Sequence, residues 1–208
     1  RLLKGEMGEG VQRAMELLVA IGDAYNAEKL IEVSRAHAAS SGQEGDLYFV
    51  ELLARGHAIC KVPTSTNPVY DIKYFHGMFS DIPEDEAEVA RRVMQAYERL
   101  GAILSWSCIP YMAENIPLYG ETVAFSESSA TPYVNSVIGA KTNREAAQSA
   151  LASGVIGKTP EYGLHFKENR KGTCLVKVEA KLKDEFDYTL LGHVVGKLVG
   201  YGVPVLTG

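Results

Sequence analysis

Apolar and polar positions along the chain alternate between a helical and a strand period. From Glu9 to Ala24, the residues Val11, Ala14, Met15, Leu18 and Ile21 recur at helical spacing, with Gly22 near the end, which predicts an amphipathic helix. "KLIEVS" (29–34) predicts a short strand, "DLYFVELLAR" (46–55) a helix stopped by Gly56, and "HAICKVP" (57–63) the next strand. A loop, "TSTNPVYDIKYFHGMFSD", leads to the clearest helix, "IPEDEAEVARRVMQAYERLG". There Pro83 stands near the first turn and Glu84, Asp85 and Glu86 match the positive helix end. Val89, Val93, Met94 and Tyr97 make its apolar stripe before Gly101.

Beyond that helix, "AILSWS" (102–107) predicts a buried strand that delivers the chain to Cys108. "PYVNSVIGA" (132–140) and "NREAAQSALASGVIG" (143–157) are helical in pattern, and "TCLVKVEAKL" (173–182) alternates like a half-exposed strand. "DYTLLGHVVGKLVG" (187–200) returns to helix and "VPVLTG" to strand. Strands and helices in such alternation predict an α/β fold, a largely parallel sheet with flanking helices, as a single unit over residues 1–208. Parallel sheets bind ligands at loops leaving the carboxyl ends of strands. Two segments are expected there, "TSTNP" (64–68) and "CIPYMAENIP" (108–117).

Composition narrows the partners. A net charge of −5 over 208 residues offers no basic footprint for nucleic acid or an anionic membrane surface. No apolar run reaches the ~18 residues that a membrane span requires. Cys60, Cys108 and Cys174 are too few and too scattered for a disulfide framework, which points to a reducing cytoplasm. The chain opens at Arg1 without Met and stops on the strand-like "GVPVLTG", so a fragment of a larger subunit is expected.

Four places concentrate chemistry. Cys108 reads either as an ordinary buried thiol at a strand end or as a soft metal ligand turned outward by Pro110. With no Cys-x-x-Cys pair, any metal it binds needs further ligands from outside these residues, and Cys60 and Cys174 read as core. In "GAKTNREAA" (139–147), Thr142 and Glu145 have capping-box spacing, and the helix start with Asn143 and Arg144 suits a carboxylate or phosphate. In "AFSESSATPYVNS" (124–136), Glu127, Ser128, Ser129 and Asn135 either line a wet pocket or cap a turn. Thr66 and Asn67, held between Pro63 and Pro68, either orient a substrate oxygen or make a turn. His37, His57, His76, His165 and His193 show no zinc-site spacing.

Taken in order, these motifs resemble the large subunit of the aconitase X family. The resemblance runs through "GEMGEGVQRAMELLVAIGDAYNAEKLIEVSRAH", "VPTSTNP" and the long block from "SCIPYMAENIPLYGETVAFSESSATPYVNSVIGAKTNREAA" to His165. It implies an aconitase-like fold and a hydro-lyase that removes water from a hydroxy acid, phosphomevalonate-like or cis-3-hydroxyproline-like. It also implies an iron–sulfur cluster with Cys108 as one ligand, the others lying in the missing C-terminal part of the large subunit. A small swivelling subunit or domain would carry the catalytic serine. Ile109 stands where the family has Thr, Lys141 where it has Arg, and the stretch from Ser40 to Asp46 is shortened. "ESSA" and "TNREAAQSALAS" are nearer the archaeal type. On this resemblance, Thr66, Asn67, Ser128, Ser129, Asn135, Thr142, Asn143 and Arg144 are expected at the substrate. A non-catalytic binding or scaffold subunit that has lost the cluster is the alternative.

Overall fold

The computed structural model describes residues 1–40, 44–68 and 82–208. The chain divides into two compact units, Arg1–His165 and Phe166–Gly208, where the hydrophobic pattern predicts one.

The first unit carries helices α1 (Glu9–Ala24), α2 (Glu44–Arg55), α3 (Glu84–Arg99) and α4 (Ala147–Ile156). Its strands are β1 (Leu30–Glu32), β2 (Ala36–Ser40), β3 (Thr64–Pro68), β4 (Ile103–Leu104), β5 (Ala124–Phe125) and β6 (Lys158–Pro160). Four of these form one sheet in the order β4-β3-β2-β5, and every neighbouring pair is parallel. The remaining two, β1 and β6, make a separate antiparallel ribbon.

Strand alternation gives the parallel sheet two unlike faces. Ala38 belongs to the core that α1, α2, α3 and α4 build with Leu18, Val50, Leu53, Val93, Tyr97, Leu151 and Val155. Its register partner Thr66 and the neighbouring Thr64 face the same way. Helix α4 lies so close that a Cβ on Gly154 would come 2.4 Å from Thr64 Oγ1, so only glycine fits there. On the opposite face stand His37, its register partners Ser65 and Phe125, and Asn67. Phe125 packs there with Tyr111, Val123, Ala130, Val134 and Ala140.

The strand expected at "HAICKVP" falls instead on "TSTNP". Within 57–63, Cys60 N–H donates to Leu100 O at 2.9 Å and Lys61 N–H to Gly154 O at 2.9 Å, outside any ladder. The real strand is polar in sequence yet its Thr64, Ser65 and Thr66 are buried. The Thr64 hydroxyl is satisfied by Val62 O at 2.9 Å, which removes most of the penalty for burying it. The helix expected from Asn143 begins later, at Ala147, and Thr142 and Glu145 do not cap it. Ser149 does that work: its Oγ accepts the Ala146 N–H at 3.0 Å. The loop expected at 64–81 lies, from residue 69 on, outside the described residues.

The second unit is a β-α-β element. Strand β7 (Cys174–Lys177) pairs in parallel with β8 (Pro204–Thr207), and α5 (Glu185–Val199) connects them. Asp184 caps α5 by accepting the Asp187 N–H at 3.1 Å.

Candidate functional site

All four parallel strands end at one edge, and the segments that follow β4 and β5 converge there on the ends of β2 and β3. Beyond β4, the single carbonyl of Thr66 accepts both the Ser105 hydroxyl at 2.9 Å and the Trp106 N–H at 3.1 Å. Trp106 then takes a left-handed φ of 46°, a strained value for a bulky residue. The turn leaves Cys108 exposed. A 3₁₀ turn over Pro110–Met112 buries Tyr111, whose hydroxyl donates to Ser129 Oγ at 2.9 Å. Asn115 then returns beneath the sheet edge, 1% exposed, donating to Ala36 O and to Ser65 Oγ, each at 2.8 Å.

Across this edge run a thiol, an amide, a carboxylate and an imidazole. Asn67, near the end of β3, donates its side-chain N–H groups to Cys108 Sγ at 3.0 Å and to Glu127 Oε1 at 2.9 Å. Glu127 follows β5, where Ser126 extends the pairing: its hydroxyl donates to His37 O at 2.9 Å and accepts the Ala39 N–H at 2.6 Å. His37 is fully buried, with Nδ1 2.9 Å from Ser65 Oγ and Nε2 3.8 Å from Glu127 Oε1. Ser65 Oγ, which accepts from Asn115, thus also meets His37 Nδ1, while Nε2 faces Glu127. The His37 imidazole, joined by the Asn67 amide and the Cys108 thiol, holds the Glu127 carboxyl below its ordinary value against the opposing effect of burial.

The structure brings Cys108 and Asn67 together and places the other expected residues around them or elsewhere. Thr66 is fully buried on the helical face, its hydroxyl beside the Tyr97 phenol. Ser129 holds Tyr111, and Ser128 is exposed next to it. Asn135 clasps backbone, its amide donating to Thr131 O at 2.7 Å and Thr142 O at 2.9 Å while Oδ1 accepts the Thr142 N–H at 3.3 Å. Thr142 is fully buried, accepting the Phe125 N–H at 3.1 Å and donating to Asn143 O at 2.8 Å. Asn143 donates to Tyr162 O at 3.1 Å and accepts the Leu164 N–H at 2.7 Å. Arg144 is exposed.

Three residues at the edge, His37, Ser65 and Asn115, escape the sequence reading, and Glu127 enters it only as part of a polar cluster. The signal was present in β2, where one histidine interrupts a run of alanines in "AHAAS", too large and too polar for a strand that only fills space.

The thiols differ in kind. Cys60 packs against the helical core, and burial pushes its thiol up to about 11, which suits an inert core residue. Cys174 is half-buried on β7. Cys108 alone is exposed, with an N–H donor aimed at its sulfur. Among the described residues no group of three His, Cys, Asp or Glu side chains converges as a metal site. The described residues alone thus offer a metal at most the one exposed thiol of Cys108 at this edge.

A parallel α/β layer with an exposed thiol, an amide and a carboxylate at the carboxyl edge of its strands has the architecture of the α/β ligand-binding enzymes. Comparison narrows it: the profile described as "Aconitase X first domain" matches residues 1–168, and the chain belongs to the aconitase X family. The phosphomevalonate dehydratase large subunit of Methanothermobacter thermautotrophicus is 43% identical over the whole of this chain. A cis-3-hydroxy-L-proline dehydratase of Pseudomonas aeruginosa is 32% identical, again over the whole chain. A crystal structure of Thermococcus kodakaraensis aconitase X in its holo-form superposes with a TM-score of 0.87 at 38% identity, over 99% of this chain. The chain spans 52% of the first of these relatives, 36% of the second and 52% of the solved chain.

Proposed function

We propose that this chain is the N-terminal part of the large subunit of an iron–sulfur hydro-lyase that removes water from a hydroxy acid of the phosphomevalonate kind. The observation that carries this reading is Cys108, exposed at the carboxyl edge of the parallel sheet with the Asn67 amide 3.0 Å from its sulfur. The substrate preference follows the higher identity to the archaeal phosphomevalonate dehydratases, 43% and 41%, than to the hydroxyproline enzymes, 31% and 32%.

In the complete enzyme Cys108 holds one position of the cluster, with further ligands from the rest of the large subunit. When bound, such a cluster supplies a Lewis-acidic iron for the substrate's carboxylate and leaving hydroxyl. This chain's own residues prepare the site. Asn67 and Glu127 flank the thiol. His37, Ser65 and Asn115 form a buried floor beneath Glu127, joined through the Ser65 hydroxyl. Exposed Arg144 and Ser128 remain for substrate oxygens, while Thr66, Asn135, Thr142 and Asn143 hold the framework. A small swivelling subunit completes the enzyme, as the name "large subunit" of the archaeal relatives suggests. Among the described residues no helix is long and apolar enough to cross a membrane, and a cytoplasmic site of action goes with this reading.

The test is anaerobic reconstitution of the full-length protein with its small subunit. Iron, sulfide and a visible charge-transfer spectrum are expected in the wild type, together with water elimination from phosphomevalonate rather than from cis-3-hydroxyproline. A Cys108→Ser protein that kept the complete spectrum would refute the assignment.

A further inference from the structure

We propose that Asn67 is the positioning residue of the Cys108 sulfur, tying the ligand's loop to the loop that carries Glu127. This rests on the reading of Cys108 as a cluster ligand.

The sheet order makes the tie necessary. Cys108 leaves β4 at one margin of the sheet and Glu127 leaves β5 at the other, with β3 and β2 between them. The backbone around Cys108 is fastened on both sides but not at the thiol. Ser105 and Trp106 are held by Thr66 O, and Asn115 N–H donates to Pro110 O at 2.9 Å. Between them the bond from Ile109 N–H to Ser107 Oγ, 3.1 Å, is internal to the loop. A direct bond from the sheet to the Cys108 side chain comes from Asn67, one residue before the end of β3.

The chemistry of the amide suits this role. Its two N–H groups point in fixed directions about 120° apart in one plane, a geometry that follows from the planar side-chain amide. One meets the sulfur and the other the carboxylate, so a single neutral donor holds the two groups in register. Only the carbonyl oxygen of Asn67 is left to face a ligand. An N–H···S bond draws electron density from a ligand thiolate, which favours the reduced cluster and raises its potential.

The experiment uses the full-length protein with its small subunit, reconstituted with iron and sulfide, in wild-type form and as Asn67→Leu, Asn67→Gln and Cys108→Ser. Asn67→Leu keeps the side-chain volume and removes both donors. Its cluster is expected to have a reduction potential more negative than wild type, a shifted charge-transfer band and bleaching in air several-fold faster. Asn67→Gln, which retains the amide, is expected to recover part of each shift. A loss of more than half the iron from a folded Asn67→Leu protein supports the proposal equally. If Asn67→Leu does not fold, Asn67→Ser, too short to reach the sulfur, carries the same expectation. A wild-type potential and spectrum in Asn67→Leu, in a preparation whose Cys108→Ser variant loses its iron, would overturn the positioning role alone. A wild-type protein without iron would overturn the reading of Cys108 and this proposal together.

Discussion

Asn115 reaches from the loop after Cys108 to Ser65 in the middle of the sheet, its amide 2.8 Å from the serine hydroxyl and 2.8 Å from Ala36 O. Loop and strand are thereby joined through a residue only 1% exposed. Asn115→Leu leaves two buried acceptors without a donor, and an unsatisfied buried group costs about 1–3 kcal/mol. We expect a loss of that size in urea unfolding. Asn115→Asp, which keeps the shape but turns the donor into an acceptor, should lose at least as much.

A second prediction concerns Gly154 and Thr64. Alanine at 154 would place its Cβ 2.4 Å from Thr64 Oγ1 and 3.1 Å from Cγ2. Overpacking of this kind typically costs about 1–3 kcal/mol. Thr64→Ala removes both clashing atoms and leaves Cβ at 3.3 Å, so the double variant should recover part of the loss. A double-mutant cycle measures the coupling, and strictly additive losses would contradict the close contact.

Glu145 gives a pH dependence. Its carboxyl is 6% exposed and takes the Ser149 hydroxyl at 2.5 Å, but Oε1 is buried without a hydrogen bond. Burial raises its pKa, a shift only partly offset by Ser149. The unfolded chain therefore ionises first as pH rises, and stability falls from the ordinary carboxylate range up to the raised folded value. Glu145→Gln cannot ionise. Its melting temperature should fall less than that of wild type across that window, and parallel curves for the two proteins would refute the assignment.

The thiols should separate by reactivity. In the apo protein at pH 8, iodoacetamide should modify Cys108 at least tenfold faster than Cys60, whose thiol is pushed up to about 11 by burial. Unfolding should equalise the two. Peptide mass mapping measures both rates, and reconstitution with iron and sulfide should protect Cys108 selectively.

The long helices α1 and α3 were legible because each shows an apolar stripe over several turns. Residues Glu9–Ala24 and Glu84–Arg99 match the expected spans closely. The strands were harder. Only two residues long, β4 and β5 are too short to show a period, and β3 hides among hydroxyl residues whose burial depends on partners distant in sequence. The site divided in the same way. Cys108 and Asn67 stand out as residue types beside proline-marked loops. His37, Ser65 and Asn115 acquire meaning only when parallel pairing brings residues 37, 65 and 125 side by side. The Thr142–Glu145 spacing suggested a local helix start, but tertiary contact with Phe125 won over the local motif.

Of residues 36–39 in β2, three are alanine. The His37 ring is thus the strand's one bulky group between the helical layer and the Glu127 carboxylate. A smaller side chain at 37 would leave the backbone pairing intact yet open a void beneath the carboxylate, deep enough to admit solvent. The thickness of one aromatic ring is what separates the greasy interior of this fold from its reactive rim.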